Sequence, residues 1–261
     1  MRATGYRNIY YSLFLGCFFM LAGCSNDLEP INVINVSEQF ELKLHQILSS
    51  EGGLPAIQIN SIETNDCENA FISHQVVISD DLIQVFLNDV RVEGNCEPGG
   101  EIVSEEILVS NPYQSIPIEI ILKNAITNQS TLHSNSSGFE IVFEQFDALK
   151  VSRTRLNRIR PGMLWGSYTI TNESVREELI AYLDFIENKN VKVQGDYGHF
   201  YLSQDNSVVI QSQDEINDFT FLVTTEEDLA DFENNMRFFK ELAPSLVLSA
   251  TNYDGNSVNI P

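Results

Sequence analysis

Between residues 36 and 152 apolar and polar positions alternate with a period of two. Phe40, Leu42 and Leu44 interleave with Glu41, Lys43 and His45, and the same pattern returns at Ile118, Ile120 and Leu122 and at Phe139, Ile141 and Phe143. Successive side chains of an extended strand point to opposite faces, so such runs predict half-buried strands. Turn-forming clusters separate them at Glu51-Gly52-Gly53, around Cys67, at Pro98-Gly99-Gly100, at Asn111-Pro112 and over 134–138. No helical period interrupts the series. About seven or eight short strands in this stretch predict a β-sandwich of immunoglobulin-like kind over 36–160.

The last hundred residues change period. A strand is predicted over 164–170, and Ser174 with Glu177 forms a capping-box pattern ahead of a helix whose Val175, Leu179, Leu183 and Ile186 share one face. Strands are predicted next over 191–194, 197–203, 208–211 and 219–224. Thr224 with Glu227 repeats the capping box, Leu229, Phe232, Met236 and Phe239 repeat the apolar stripe, and Pro244 stops the helix. Strands over 246–251 and 257–260 close the chain around the hairpin signal Asp254-Gly255. The order reads as two β-α-β-β units, one from Trp165 and one from Phe219, of slight mutual identity. The predicted class is mostly β with α+β. A sandwich occupies 36–160, Pro161-Gly162 marks a boundary, and a smaller α+β domain over 161–261 carries two helices on an antiparallel sheet.

The first residues follow neither pattern. Arg2 and Arg7 precede a nearly unbroken apolar run over 9–22, which is short of the roughly 20 residues a spanning helix needs. Leu21-Ala22-Gly23-Cys24 ends it, and this quartet resembles the lipobox of bacterial lipoproteins. The resemblance implies a signal peptide over 1–23, cleavage before Cys24, a diacylglycerol thioether on its sulfur and acylation of the new amino terminus. Several acyl chains anchor stably where one binds only marginally. Ser25 stands where an aspartate signals inner-membrane retention in enterobacterial lipoproteins, so the expected location is the outer membrane, on either its periplasmic or its cell-surface side. Residues 24–35, polar and broken by Pro30, read as a tether reaching roughly 30 Å.

Charge narrows the partners. Against 37 acidic residues the chain has 15 lysines and arginines, a formal charge of −22 that becomes −24 when Arg2 and Arg7 leave with the signal. Such a chain repels nucleic acid and anionic headgroups, so no nucleic-acid partner is expected, while a basic protein or divalent cations remain open. With Cys17 in the signal and Cys24 lipidated, Cys67 and Cys96 are left in an oxidising compartment and are expected to form a disulfide. A zinc site is the poorer reading, since the nearest histidine, His74, lies seven residues from Cys67 and no ligand spacing occurs. Neither a metal nor another cofactor is expected.

Two groups of residues stand out as candidate sites. Lys150, Arg153, Arg155, Arg158 and Arg160 form a basic island with no acid over 148–172. It reads as a docking patch or, since a chain this acidic neutralises its few cations locally, as part of the protein's own domain interface. Alternation over 197–203 would set Tyr197, His199 and Tyr201 on an outer face, with Phe200 and Leu202 turned to the core, giving an aromatic, hydrogen-bonding stripe for a ligand. The pairs Asp80-Asp81 and Glu105-Glu106 are poor acid and base partners, because adjacent strand residues face opposite ways, and Glu226-Glu227 begins a helix, where negative charge complements the dipole; all three read as solvated charge. No nucleophile elbow, metalloprotease helix, phosphate loop or calcium loop is present, and His45, His74, His133 and His199 are scattered singly. The expected function is therefore that of an envelope lipoprotein that binds a protein or an extracellular ligand without catalysis, a neighbouring outer-membrane barrel being one candidate partner. The alternatives are a hydrolase of envelope or extracellular polymer, with His199 and a carboxylate in an inter-domain cleft, and an immunity or inhibitor lipoprotein that masks a basic toxin or lysozyme.

Overall fold

The computed structural model describes residues 38–109, 115–187, 192–211 and 219–261. The signal, Cys24, the tether and the Asn111-Pro112 turn lie outside them. The alternating run at Phe40 forms β1 (Phe40–Ile47), followed by β2 (Leu54–Cys67), β3 (Ala70–Ile78), β4 (Ile83–Val92), β5 (Pro98–Leu108), β6 (Ile116–Leu122), β7 (Ile126–Ser134), β8 (Gly138–Gln145), β9 (Lys150–Arg153) and β10 (Arg155–Asn157). They make two sheets, β5-β2-β1-β9 and β10-β8-β7-β6-β4-β3, with parallel pairing only at β1–β9 and β4–β6 among the described residues. Phe40, Leu42, Leu44, Ile57 and Ile59 of the first sheet and Ile83, Val85, Leu87, Ile118, Ile120, Phe139 and Ile141 of the second share one core, as their alternation requires. Burying each such side chain contributes about 1.5–3 kcal/mol.

One turn moves. Pro98-Gly99-Gly100 opens β5 rather than a loop, because Pro98 pairs with Cys67 and the reversal falls just before it. Proline is tolerated there since β5 is an edge strand and Pro98 its first residue. The expected disulfide joins Cys67 to Cys96 at this corner, with the Cα atoms 5.1 Å apart and 29 residues between them in sequence. Closing a loop of that length contributes about 3.5 kcal/mol in the chain-entropy account.

The remaining elements are β11 (Met163–Thr169), α1 (Glu173–Ile186), β12 (Gly195–Asp196), β13 (Phe200–Leu202), β14 (Val208–Ile210), β15 (Phe219–Thr224), α2 (Leu229–Leu242), β16 (Val247–Asn252) and β17 (Ser257–Ile260). An antiparallel sheet of order β15-β11-β16-β17 carries both helices, and Val175, Leu179 and Leu183 of α1 meet Phe232, Met236 and Phe239 of α2 over Leu164, Tyr168 and Phe221. The Phe221 ring lies over Gly166, where an added Cβ would come within 2.8 Å of it and 2.3 Å of the Ser249 carbonyl. Both capping boxes are replaced by other caps. Asn172 caps α1 and Asp228 caps α2, each accepting a backbone N–H from three residues on. The second box fails because Thr224 is still paired with Met163 in the sheet. The strand expected over 191–194 is absent from 192–194, and residue 191 lies outside the described residues. β12, β13 and β14 form a small sheet of their own, whereas β16 and β17 join the sheet of β15, so the two β-α-β-β units are not equivalent.

That small sheet closes a third core. Tyr197, Phe200, Leu202 and Val208 pack with Trp165 and Leu222 from the other face of the helix-bearing sheet, and with Ile159. At its border Gln46, wholly buried at the end of β1, donates from Nε2 to the carbonyls of Asn157 and Tyr197, both at 2.7 Å, and accepts the Ile159 N–H at 2.9 Å. One side chain therefore ties the sandwich to the segment that leaves it and to the later hairpin. All described residues belong to one compact unit. Replacing Gln46 with leucine keeps the volume but strands three backbone groups, each costing about 1–3 kcal/mol when left unbonded. The expected loss is about 3 kcal/mol or more, read as a lowered denaturant midpoint; an unchanged midpoint would show the amide to be dispensable.

Candidate functional site

A cleft of about 540 Å³ opens where the start of β11, the segment leading into α2 and the β16–β17 turn converge. Leu164, Leu229 and Phe232 supply apolar lining, while Glu226, Glu227, Asp228 and Asp254 bring carboxylates; among the described residues no lysine, arginine or histidine lines it. Glu227 is fixed in place, accepting the Tyr182 hydroxyl at 2.6 Å and the Asn235 amide at 2.8 Å. Burial, together with the bond to Glu227, raises the Tyr182 phenol well above its ordinary value, so that hydroxyl stays a donor. Asp228 caps α2, where negative charge complements the helix dipole. Glu226 is exposed. Apolar lining edged with carboxylates suits a cation on an apolar stem, as in lysine, arginine or an alkylamine. The pair Glu226-Glu227 read from the sequence only as solvated charge; its neighbours Leu164 and Asp254 come from distant parts of the chain.

The aromatic stripe does not form as expected. Tyr197 is 1% exposed and stacks on Phe200 at 4.6 Å between ring centroids, with its hydroxyl donating to the Val193 carbonyl at 2.7 Å, whereas Tyr201 is 43% exposed. The strand predicted over 197–203 is interrupted by a tight turn: Tyr197 N–H bonds the Phe200 carbonyl, and Gly198 takes a φ of +85°, which glycine accommodates without strain. A turn at that point cancels the alternation, so Tyr197 joins Phe200 in the core. Burial raises its phenol above the ordinary value.

His199 points inward as well. Its Nε2 lies 2.8 Å from the Gln46 carbonyl, and its ring sits 5.0 Å from that of His45 and 6.0 Å from Trp165. Histidines far apart in sequence are thus brought together. Glu106 Oε1 lies 3.4 Å from His45 Nε2. Burial first, then the neighbouring His199, Arg153 and Lys43, push His45 down to about 4, so the imidazole is neutral at pH 7 and this approach is no ion pair there. Burial also lowers His199, against the bond to Gln46, which raises it. Among the described residues that line the cleft beside Leu164, His199 does not appear. Among the described residues no group of three or more His, Cys, Asp and Glu side chains is arranged to hold a metal ion.

The basic island is divided between the interior and the surface. Arg158 is 5% exposed, donating to the carbonyls of Asn135 and Gly53 and to Ser134 Oγ, with its guanidinium 4.2 Å from the Phe139 ring centroid. Arg153 pairs with Asp196 at 3.0 Å and donates to Gln211 at 2.6 Å; Lys150 pairs with Glu41 at 3.0 Å. Arg155 and Arg160 are exposed. As a patch the four arginines do not share one surface, because Arg158 is spent inside the fold.

Gln46 was missed in the sequence although a signal was present. It continues the inward phase of Phe40, Leu42 and Leu44, and a polar residue at a core position requires bonding partners. No protein-family model matches the chain, and comparison with curated proteins and with solved structures returns no match. Tyr197→Ser is expected to cost about 3–5 kcal/mol, as for other large buried aromatics. Tyr201→Ser should stay within about 0.5 kcal/mol, as surface changes do. Thermal or urea unfolding of the two variants would separate them, and equal losses would contradict the turn at Gly198.

Proposed function

We propose that this chain is a lipid-anchored protein of the outer membrane that works by binding, without catalysis, and that it receives a cationic segment of an envelope protein partner in the cleft beside Leu164 and Phe232. The observation that carries this reading is the lining itself, four carboxylates with apolar side chains and, among the described residues, no basic one. Its volume of about 540 Å³ falls within the usual range of ligand sites, roughly 300–1,000 Å³. The charge of the whole chain supports the choice of a basic partner, since a negative field speeds encounter with a positive surface. Leu21-Ala22-Gly23-Cys24 supports the anchor, and the Cys67–Cys96 disulfide accords with an oxidising compartment.

The cleft is tested with a fluorescent lysine-rich peptide and the triple variant Glu226→Gln, Asp228→Asn, Asp254→Asn. Asparagine retains the α2 cap, so the fold is kept. Partly exposed charges contribute up to about 1 kcal/mol each, so binding should weaken about tenfold or more and lose much of its salt dependence. A control with Asp80→Asn, Asp81→Asn and Glu105→Gln removes equal charge elsewhere. Equal weakening in both triples would reduce the cleft to one part of a diffuse negative surface.

The anchor is tested by fractionation. Wild-type chain should sediment with outer membranes and incorporate labelled fatty acid, and Cys24→Ser should do neither. Retention of the label by Cys24→Ser would overturn lipidation at this cysteine.

A further inference from the structure

We propose that the hairpin over 195–210 is an acid-loosened latch, whose docking on the sandwich is weakened when the facing imidazoles of His45 and His199 are protonated. This stands apart from the cleft and does not depend on it. The geometry carries it. His45 lies on β1 and His199 in the turn of the hairpin, with ring centroids 5.0 Å apart. Gly198, in the same turn, presents its backbone to His45, whose Nδ1 would be 3.7 Å from a Cβ built there. Two bonds to one residue attach the hairpin here, Gln46 Nε2 to the Tyr197 carbonyl and His199 Nε2 to the Gln46 carbonyl, beside the ion pair of Arg153 with Asp196. Because a carbonyl only accepts, neutral His199 carries its proton on Nε2, and acid adds the second at Nδ1.

The groups around the pair decide the sign. Arg153 on β9 and Lys43 on β1 are cationic neighbours that oppose a charged His45, and each imidazolium opposes the other. Asp196 on β12 is already paired with Arg153 at 3.0 Å. Glu106 on β5 faces His45, but burial raises its carboxyl above the ordinary value, so it begins to lose its compensating charge in the same acid range. That raised value taken alone favours the docked state as pH falls, and the 40% exposure of the Glu106 side chain weakens the effect. For the imidazoles the sign is opposite. A fully freed imidazole takes a proton near 6.5 and docked His45 near 4, so the imidazole contribution to docking is full above 6.5 and is lost as pH falls from there toward 4. By linkage His45 alone shifts the release equilibrium by up to about thirtyfold between pH 7.5 and pH 5, the full figure requiring that release return it to its ordinary value.

The chain carries its own reporter, because Trp165 is its sole tryptophan and lies 6.0 Å from His199, close enough for an imidazolium to quench indole emission. The test follows that emission from pH 7.5 to 4.5, together with hydrogen exchange of 195–210 corrected for intrinsic rates, with Glu173–Ile186 as the internal reference. In the wild-type chain hairpin protection should fall by up to about thirtyfold by pH 5 while the helix keeps its own, and emission should change with a midpoint below 6.5. His45→Gln with His199→Gln should flatten both curves, glutamine still offering an N–H to the Gln46 carbonyl. If that double variant fails to fold at pH 7.5, His45→Gln, which leaves the His199–Gln46 bond in place, carries the comparison. Hairpin protection that is constant with pH, that falls in step with the helix, or that falls equally in the variants would overturn the latch.

Discussion

A buried amide that must satisfy all its hydrogen bonds governs how this chain is put together. Gln46 stands where β1 would otherwise present an apolar residue, and its carboxamide is met by Asn157, Ile159 and Tyr197. Unbonded, it would cost several kcal/mol; bonded, it fixes where the chain leaves the sandwich and where the hairpin over 195–210 returns. Gly53 belongs to the same arrangement, for a Cβ there would collide with Gln46 Oε1 at 2.1 Å. The third core, with the Trp165 ring tilted against Phe200 at 5.0 Å, is assembled around that attachment. The helix-bearing sheet is thereby buried on both faces, one against α1 and α2 and the other against the hairpin.

The distribution of charge follows from how the few cations are employed. Arg158 is enclosed among carbonyls and the Phe139 ring, Arg153 holds Asp196, Lys150 holds Glu41, and Lys192 meets Glu187. Used in this way they neutralise local acids and bind segments to one another. The cleft beside Leu164 has, among the described residues, carboxylates and no basic residue in its lining, which is the ground for the binding role proposed for it. The proposed binding role and the internal role of the basic island are two consequences of the same scarcity.

Much of the fold was legible in the sequence. Where a strand has one wet face, the period of two is written by the hydrophobic effect alone, and the inward phases of Phe40, Ile118 and Phe139 agree with the core. Helix positions were equally plain, since Leu179 and Leu183, and Phe232 and Met236, mark their buried faces. What misled was local chemistry with more than one use. Pro98-Gly99-Gly100 has turn composition but sits at a strand start, Thr224-x-x-Glu227 has capping spacing but Thr224 remains in the sheet, and Gly198 turned a continuous alternation into a hairpin. The candidate site was less legible. Only the acidic pair Glu226-Glu227 was noticed, and only as solvated charge.

By itself the sequence determined the mostly β class, the two amphipathic helices, the Cys67–Cys96 pairing and the sign of the charge, because burial period, cysteine number and composition are properties of a chain before it folds. Only the tertiary structure decided that Tyr197 is core and Tyr201 surface, that His45 meets His199, and that Leu164, Phe232 and Asp254 enclose one cleft. Such contacts join residues as much as about 150 positions apart, and period and propensity act over a few residues only. Which distant segments meet depends on how the strands are ordered in space and on where a buried polar group such as Gln46 finds its partners.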